Sequence, residues 1–193
     1  PSPEESIEVK LVSSENNSES NPNMSLKIAS IEADFASLTD KIEAQKKIIN
    51  DSLDPIKKQL AYLMAKPSIK PVTATISAGF GYRKNPFTSR GSEFHKGVDF
   101  AASYGTTVSA TGDGIVSFAG WNAGYGRMVI ISHGYGLSTL YAHNSKLLVK
   151  QGDKVKKGQA IAKVGNTGRS TGTHLHYEVK LNGKNVNPAN YFD

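Results

Sequence analysis

Two short stretches far apart in the chain carry side chains that bind metal ions. They are Phe94-His95-Lys96-Gly97-Val98-Asp99-Phe100 and Gly172-Thr173-His174-Leu175-His176-Tyr177-Glu178. His95 and Asp99 stand four residues apart, and His174 and His176 two. Zinc accepts imidazole nitrogen and carboxylate oxygen at tetrahedral corners, and a catalytic zinc takes three protein ligands and leaves the fourth corner to water. Two histidines and one aspartate from these stretches make such a set, with one histidine left over for chemistry. The expectation is a hydrolytic metal site.

The elements that must position these residues are strands. From Lys66-Pro67 onward glycine is frequent, and β-branched runs alternate with turn signals such as His133-Gly134-Tyr135-Gly136, Gly152-Asp153 and Asn182-Gly183. Strands are expected at Gly114–Ala119, Arg127–His133, Leu137–His143, Ala160–Val164 and His174–Leu181, joined as antiparallel hairpins. Phe94–Phe100 reads as a loop-to-strand junction. Residues two and four apart on a strand share a face. His95 and Asp99 then point one way with Val98 and Phe100 in the core, and His174 and His176 share a face with Leu175 behind them. Glu178 continues that face. It reads as a surface carboxylate, with orientation of a histidine as the second reading. A lone histidine is more often structural, which suits His133 beside Gly134. His143, His174 and His176 occupy strands with apolar neighbours, and several buried histidines need a partner that a metal supplies.

Upstream of the strands the texture differs. Residues 1–23 are rich in Ser, Glu, Asn and Pro and read as a disordered or extended lead-in. Residues 24–66 read as a helical arm. Ile28, Phe35, Ile42, Ile49, Ile56 and Leu63 keep a seven-residue spacing, Ile31 and Leu38 supply a second apolar position, and Gln45, Ser52 and Gln59 do not. That stripe is coiled-coil-like and open to self-association or contact with an envelope protein, and the arm is also open to a spacer or blocking role. Asp54-Pro55 should break or kink it, since Asp54 is a good N-cap and Pro55 a good first helical residue. Residues 67–193 form the β domain. The fold class expected is α+β, a mainly antiparallel β domain behind a helical arm.

Composition narrows the partners. The chain has no cysteine, which excludes disulfides and thiolate metal sites, and 38% apolar residues suffice for a core. The net charge of +6 is uneven: residues 1–66 hold 8 Lys and Arg against 11 Asp and Glu, and residues 67–193 hold 15 against 6. The basic body suits an anionic polymer such as cell wall. No nucleic-acid-binding signature accompanies it, so nucleic acid is not expected. No apolar run reaches membrane-spanning length. The chain begins at Pro1 rather than Met, which reads as a processed or truncated form and leaves room for a removed export signal or membrane anchor.

The stretch from about Pro71 to Pro188 resembles the M23 family of zinc metallopeptidases, the lysostaphin or LytM-type peptidoglycan endopeptidases. The resemblance rests on Ile76-Ser77-Ala78-Gly79-Phe80-Gly81-Tyr82-Arg83, Phe94–Asp99, Leu140-Tyr141-Ala142-His143 and Gly165–Glu178. It implies that His95, Asp99 and His176 hold one Zn2+ per chain, and that His143 and His174 face the open corner as catalytic groups. It implies a lysostaphin/LytM-like domain cutting peptide cross-links of peptidoglycan, either a D-Ala to diamino-acid link or a glycine bridge. The chain carries no attached wall-targeting repeat, which favours a thin-walled envelope and hence the periplasm. Some relatives have lost ligands and regulate other wall hydrolases, so an activator working through the helical arm is the alternative. The intact ligand set argues for an enzyme. A biotinyl or lipoyl carrier lacks a fitting lysine, since Lys146 has no such setting. The glycine-rich Gly165–Ser170 lacks the lysine of a phosphate-binding loop.

Overall fold

The computed structural model describes residues 22–86, 88 and 91–192. The lead-in expected over residues 1–23 falls outside them up to residue 21. The chain divides after Asp54 into two units. A helix, α1 (Pro22–Ala65), supplies the described part of the first unit and the start of the second. Of the break or kink expected at Asp54-Pro55, the break is not formed, because Pro55 lies inside α1. A proline in a helix interior costs about 3 kcal/mol. Strong helix formers on either side, Gln45-Lys46-Lys47 and Lys57-Lys58-Gln59-Leu60-Ala61, carry the helix through. Ile28, Ile31, Phe35, Leu38, Ile42 and Ile49 are all exposed. Among the described residues no helix is long and apolar enough to cross a membrane.

In the second unit, the last turn of α1 finds partners for carbonyls that a helix end leaves unpaired. Asp113 N–H donates to Met64 O at 2.8 Å, and Lys157 Nζ to Leu63 O at 2.9 Å. Among the described residues twelve strands follow: β1 (Thr75–Ala78), β2 (Gly81–Lys84), β3 (Ser92–His95), β4 (Val98–Ala101), β5 (Thr107–Ser109), β6 (Gly114–Asn122), β7 (Gly126–Gly134), β8 (Leu137–Leu147), β9 (Lys154–Val155), β10 (Ala160–Val164), β11 (Leu175–Leu181) and β12 (Lys184–Val186). The main sheet runs β1-β4-β11-β8-β7-β6-β9, all antiparallel, with β10 on β8 and β5, and β12 on β11. β2 and β3 pair separately. The antiparallel β domain expected from the turn signals is thus present.

Alternation along the central strands separates core from site. On β11, Leu175, Tyr177 and Val179 enter the core with Val98, Phe100, Val129, Ile131 and Tyr141. His176 and Glu178 point to the other side. Burying each of these large apolar side chains contributes about 1.5–3 kcal/mol. The core has a polar seam: the Tyr141 and Tyr177 hydroxyls both meet Thr111 Oγ1 at 2.9 Å. Gly97, just before β4, lies tight against β11, since a Cβ there would strike the Tyr177 carbonyl. Gly97→Ala is therefore expected to destabilise by about 1–3 kcal/mol in urea melts.

Candidate metal centre

Three strands converge on one point. His95 ends β3, Asp99 lies in β4 and His176 in β11. The ligand atoms form a triangle. His95 Nε2 is 3.1 Å from Asp99 Oδ1 and 3.1 Å from His176 Nδ1, and His176 Nδ1 is 2.8 Å from Asp99 Oδ1. All three residues are buried. One expectation needs correction. His95 and Asp99 do not share a face of one strand; they belong to different sheets and meet because Lys96-Gly97 turns the chain between them. His176 and Asp99 sit opposite each other in the β4–β11 ladder.

Each imidazole is held by one nitrogen and offers the other. His95 Nδ1–H donates to Gly79 O at 2.7 Å, leaving Nε2 free to accept an ion. His176 Nε2–H donates to Glu178 Oε1 at 3.2 Å, leaving Nδ1. His143 Nδ1–H donates to Thr167 O at 2.7 Å, and His174 Nδ1–H to Gly172 O at 2.8 Å. An acceptor on one ring nitrogen fixes the tautomer and aims the other lone pair. The His174 and His143 rings lie 4.8 Å apart, and His174 Nε2 is 3.7 Å from Asp99 Oδ1. The structure thus gathers all five residues singled out in the sequence, His95, Asp99, His143, His174 and His176, into one cluster. His133 stays apart, bonded to Asp113 O and Thr139 Oγ1.

His143 reaches the cluster by an irregularity. Tyr141 faces the core, so strict alternation would send His143 there too. The β7–β8 register slips between Val129↔Tyr141 and Arg127↔Asn144, and His143 has φ 61°. A bulge with a left-handed residue re-aims a side chain, and bulges concentrate next to active sites. The cost for a non-glycine residue is about 1–2 kcal/mol.

Glu178 is the second correction. It is fully buried rather than a surface carboxylate. It accepts from His176 Nε2, from Tyr125 Oη at 2.7 Å and, through Oε2, from Asn185 Nδ2 at 2.7 Å. Burial alone would raise its pKa, but the His176, Tyr125 and Asn185 hydrogen bonds bring it down to about 2. It is therefore a fixed negative charge behind His176. Asp99 behaves alike: burial pushes upward, and the hydrogen bonds from His176 and His95 hold it far below the usual carboxylate range. Burial would lower the His176 pKa, yet Asp99 and Glu178 raise it. The pocket therefore favours positive charge at its floor. Burial, aided by His174 and His176, pushes His143 down to about 4, so it is neutral at pH 7.

The residues fit a metal. Two aimed imidazole nitrogens and one carboxylate oxygen, within 3.1 Å of each other, form a face that an ion with bonds of about 2 Å can cap. The face opens into a groove of about 640 Å³ whose walls include Arg83, Tyr125, Arg169 and Thr171. Tyr125 and Arg83 carry no role that the sequence assigns. Their contacts to the site, Arg83 to Asp99 and Tyr125 to Glu178, reach elements far off in the sequence, so no local signal marks those roles.

Comparison with known proteins agrees with this geometry. Residues 93–188 match peptidase family M23. A DD-carboxypeptidase/endopeptidase, Mpg, of Neisseria meningitidis serogroup B is 48% identical over 123 residues, covering 63% of this chain and 28% of that protein. The murein hydrolase activator NlpD of Salmonella dublin is 48% identical over 99 residues, covering 50% of this chain and 26% of its own length. The chain thus spans about a quarter of the length of these relatives. The catalytic domain of the antimicrobial peptidase lysostaphin from Staphylococcus simulans superposes with a TM-score of 0.56 at 33% identity, covering 61% of this chain and 91% of that domain.

Proposed function

The chain belongs to peptidase family M23, and on that premise we propose that it is a zinc endopeptidase that cuts peptide cross-links in bacterial peptidoglycan. The observation that carries the reading is the buried His95–Asp99–His176 triangle with two further imidazoles aimed at its open side. In this reading His95 Nε2, Asp99 Oδ1 and His176 Nδ1 hold the ion. A zinc ion there supplies a Lewis acid for the scissile carbonyl and makes bound water acidic enough to react near neutral pH.

The remaining steps belong to the chain. His143 is neutral at pH 7 with Nε2 unprotonated, so it can take a proton from the attacking water and return it to the leaving amine. His174 Nε2 lies on the same side, and an imidazolium there would donate a hydrogen bond to the charge developing on the carbonyl oxygen. The groove, about 640 Å³ in volume, leaves room for an extended peptide. The body's net positive charge draws it to an anionic wall. Resemblance to proteins named DD-endopeptidases favours a D,D link over a glycine bridge, and a wall substrate puts the work outside the cytoplasm.

The similarity to NlpD keeps an activator reading open, because a body this similar occurs in a protein named for regulation. The aimed ligand set favours the enzyme. Digestion of purified cross-linked muropeptides decides between them. The enzyme releases fragments split at the cross-link, whereas an activator leaves them intact unless a second hydrolase is added. Glu178→Gln tests the arrangement behind the ion. It replaces a buried charge with a neutral amide, and zinc affinity measured by chelator competition should fall about 10–100-fold.

A further inference from the structure

We propose that Arg83 is a positioning residue for the metal, holding Asp99 as a ligand through one oxygen only. The inference rests on the metal reading above. Asp99 Oδ1 faces His95 and His176, while Oδ2 accepts from Arg83 NH1 at 3.0 Å. The same guanidinium meets Glu93 Oε1 through Nε and NH2, each at 3.0 Å. Arg83 and Glu93 sit opposite each other in the β2–β3 ladder, so their contact alone would be an ordinary cross-strand pair. The contact to Asp99 goes further, because it leaves the small sheet and reaches the main one.

That reach matters for the site. His95 is carried by the β2–β3 sheet and Asp99 by the main sheet. The backbone between β3 and β4 is only Lys96-Gly97. Arg83 is a second tie between the two ligand-bearing strands, and it acts on the ligand itself. A planar fork suits this double contact, with one edge used on Glu93 and the remaining N–H on Asp99. With Oδ2 turned to Arg83, two-oxygen binding by Asp99 would give up that ion pair, which favours one oxygen on the ion and a corner left to water.

The test compares wild type, Arg83→Gln, Arg83→Lys and Glu93→Gln. Zinc affinity is read by chelator competition, and the Co2+-loaded proteins by visible absorption, which weakens as the coordination number rises. Arg83→Gln should bind zinc about 10–100-fold more weakly and show a weakened Co2+ band, because Asp99 then adds its second oxygen. Arg83→Lys should recover part of both, since an ammonium reaches Oδ2 but does not bridge to Glu93. Glu93→Gln removes only the anchor of the fork and should give the same changes in smaller measure, so it serves should Arg83→Gln fail to fold. Wild-type zinc affinity and an unchanged Co2+ band in Arg83→Gln, or in Glu93→Gln where that stands in, overturn the inference alone. A wild type that takes up neither zinc nor cobalt overturns the metal reading with it.

Discussion

His95→Ala should abolish both zinc retention and cleavage while leaving the fold intact. The side chain is one corner of the ligand triangle, and its Nε2 lies 3.1 Å from each of the other two ligand atoms. Removing it leaves Asp99 and His176 as a two-point site. Metal supplies several kcal/mol of charge stabilisation in such reactions, so the loss in kcat/KM should be about 10³-fold or more. The structural penalty is much smaller. His95 ends β3 at the edge of the site, and outside the ligand cluster its Nδ1–H donates to Gly79 O. That bond is worth about 1 kcal/mol. Metal analysis of the dialysed protein, beside a circular dichroism melt, checks both parts.

His143 gives the second large effect, with a different signature. His143→Ala should keep its zinc, because the residue is not in the triangle, and should lose about 10²–10⁴ in kcat by losing its proton acceptor. Its backbone adds a stability prediction of unusual sign. Glycine inside a strand normally costs about 0.5–1 kcal/mol relative to alanine. At φ 61° alanine is the strained residue and glycine is not. His143→Gly should therefore be more stable than His143→Ala, by about 1 kcal/mol in urea melts, with both equally inactive. The reverse order would mean that the left-handed turn relaxes when the imidazole is removed, and that the bulge does not hold it.

The ligand-bearing segments are legible in the sequence because their residue types are rare and closely spaced, and because glycine and β-branched residues delimit strands well. The geometry joining them is less so. Spacing alone puts His95 and Asp99 on one strand, but a two-residue turn at Lys96-Gly97 places them in different sheets. Glu178 reads as exposed because its own strand alternates with charged Lys180. Its burial depends on Tyr125 and Asn185, which arrive from the β6–β7 turn and β12. Family resemblance puts His143 at the open corner, whereas alternation alone sends it into the core; a left-handed histidine leaves no mark in the sequence. At Pro55 the local helix-starting signal allows a break, and helix formers on both sides outweigh it.

The central claim is that one cation held by His95, Asp99 and His176 makes the groove a peptidase. Stepwise return of zinc to the metal-depleted protein, with muropeptide cleavage followed by mass spectrometry at each step, tests it most directly. Cleavage should rise in proportion to bound zinc and level off at one ion per chain. Cleavage at full rate before any zinc is returned, or none at saturation, would contradict it.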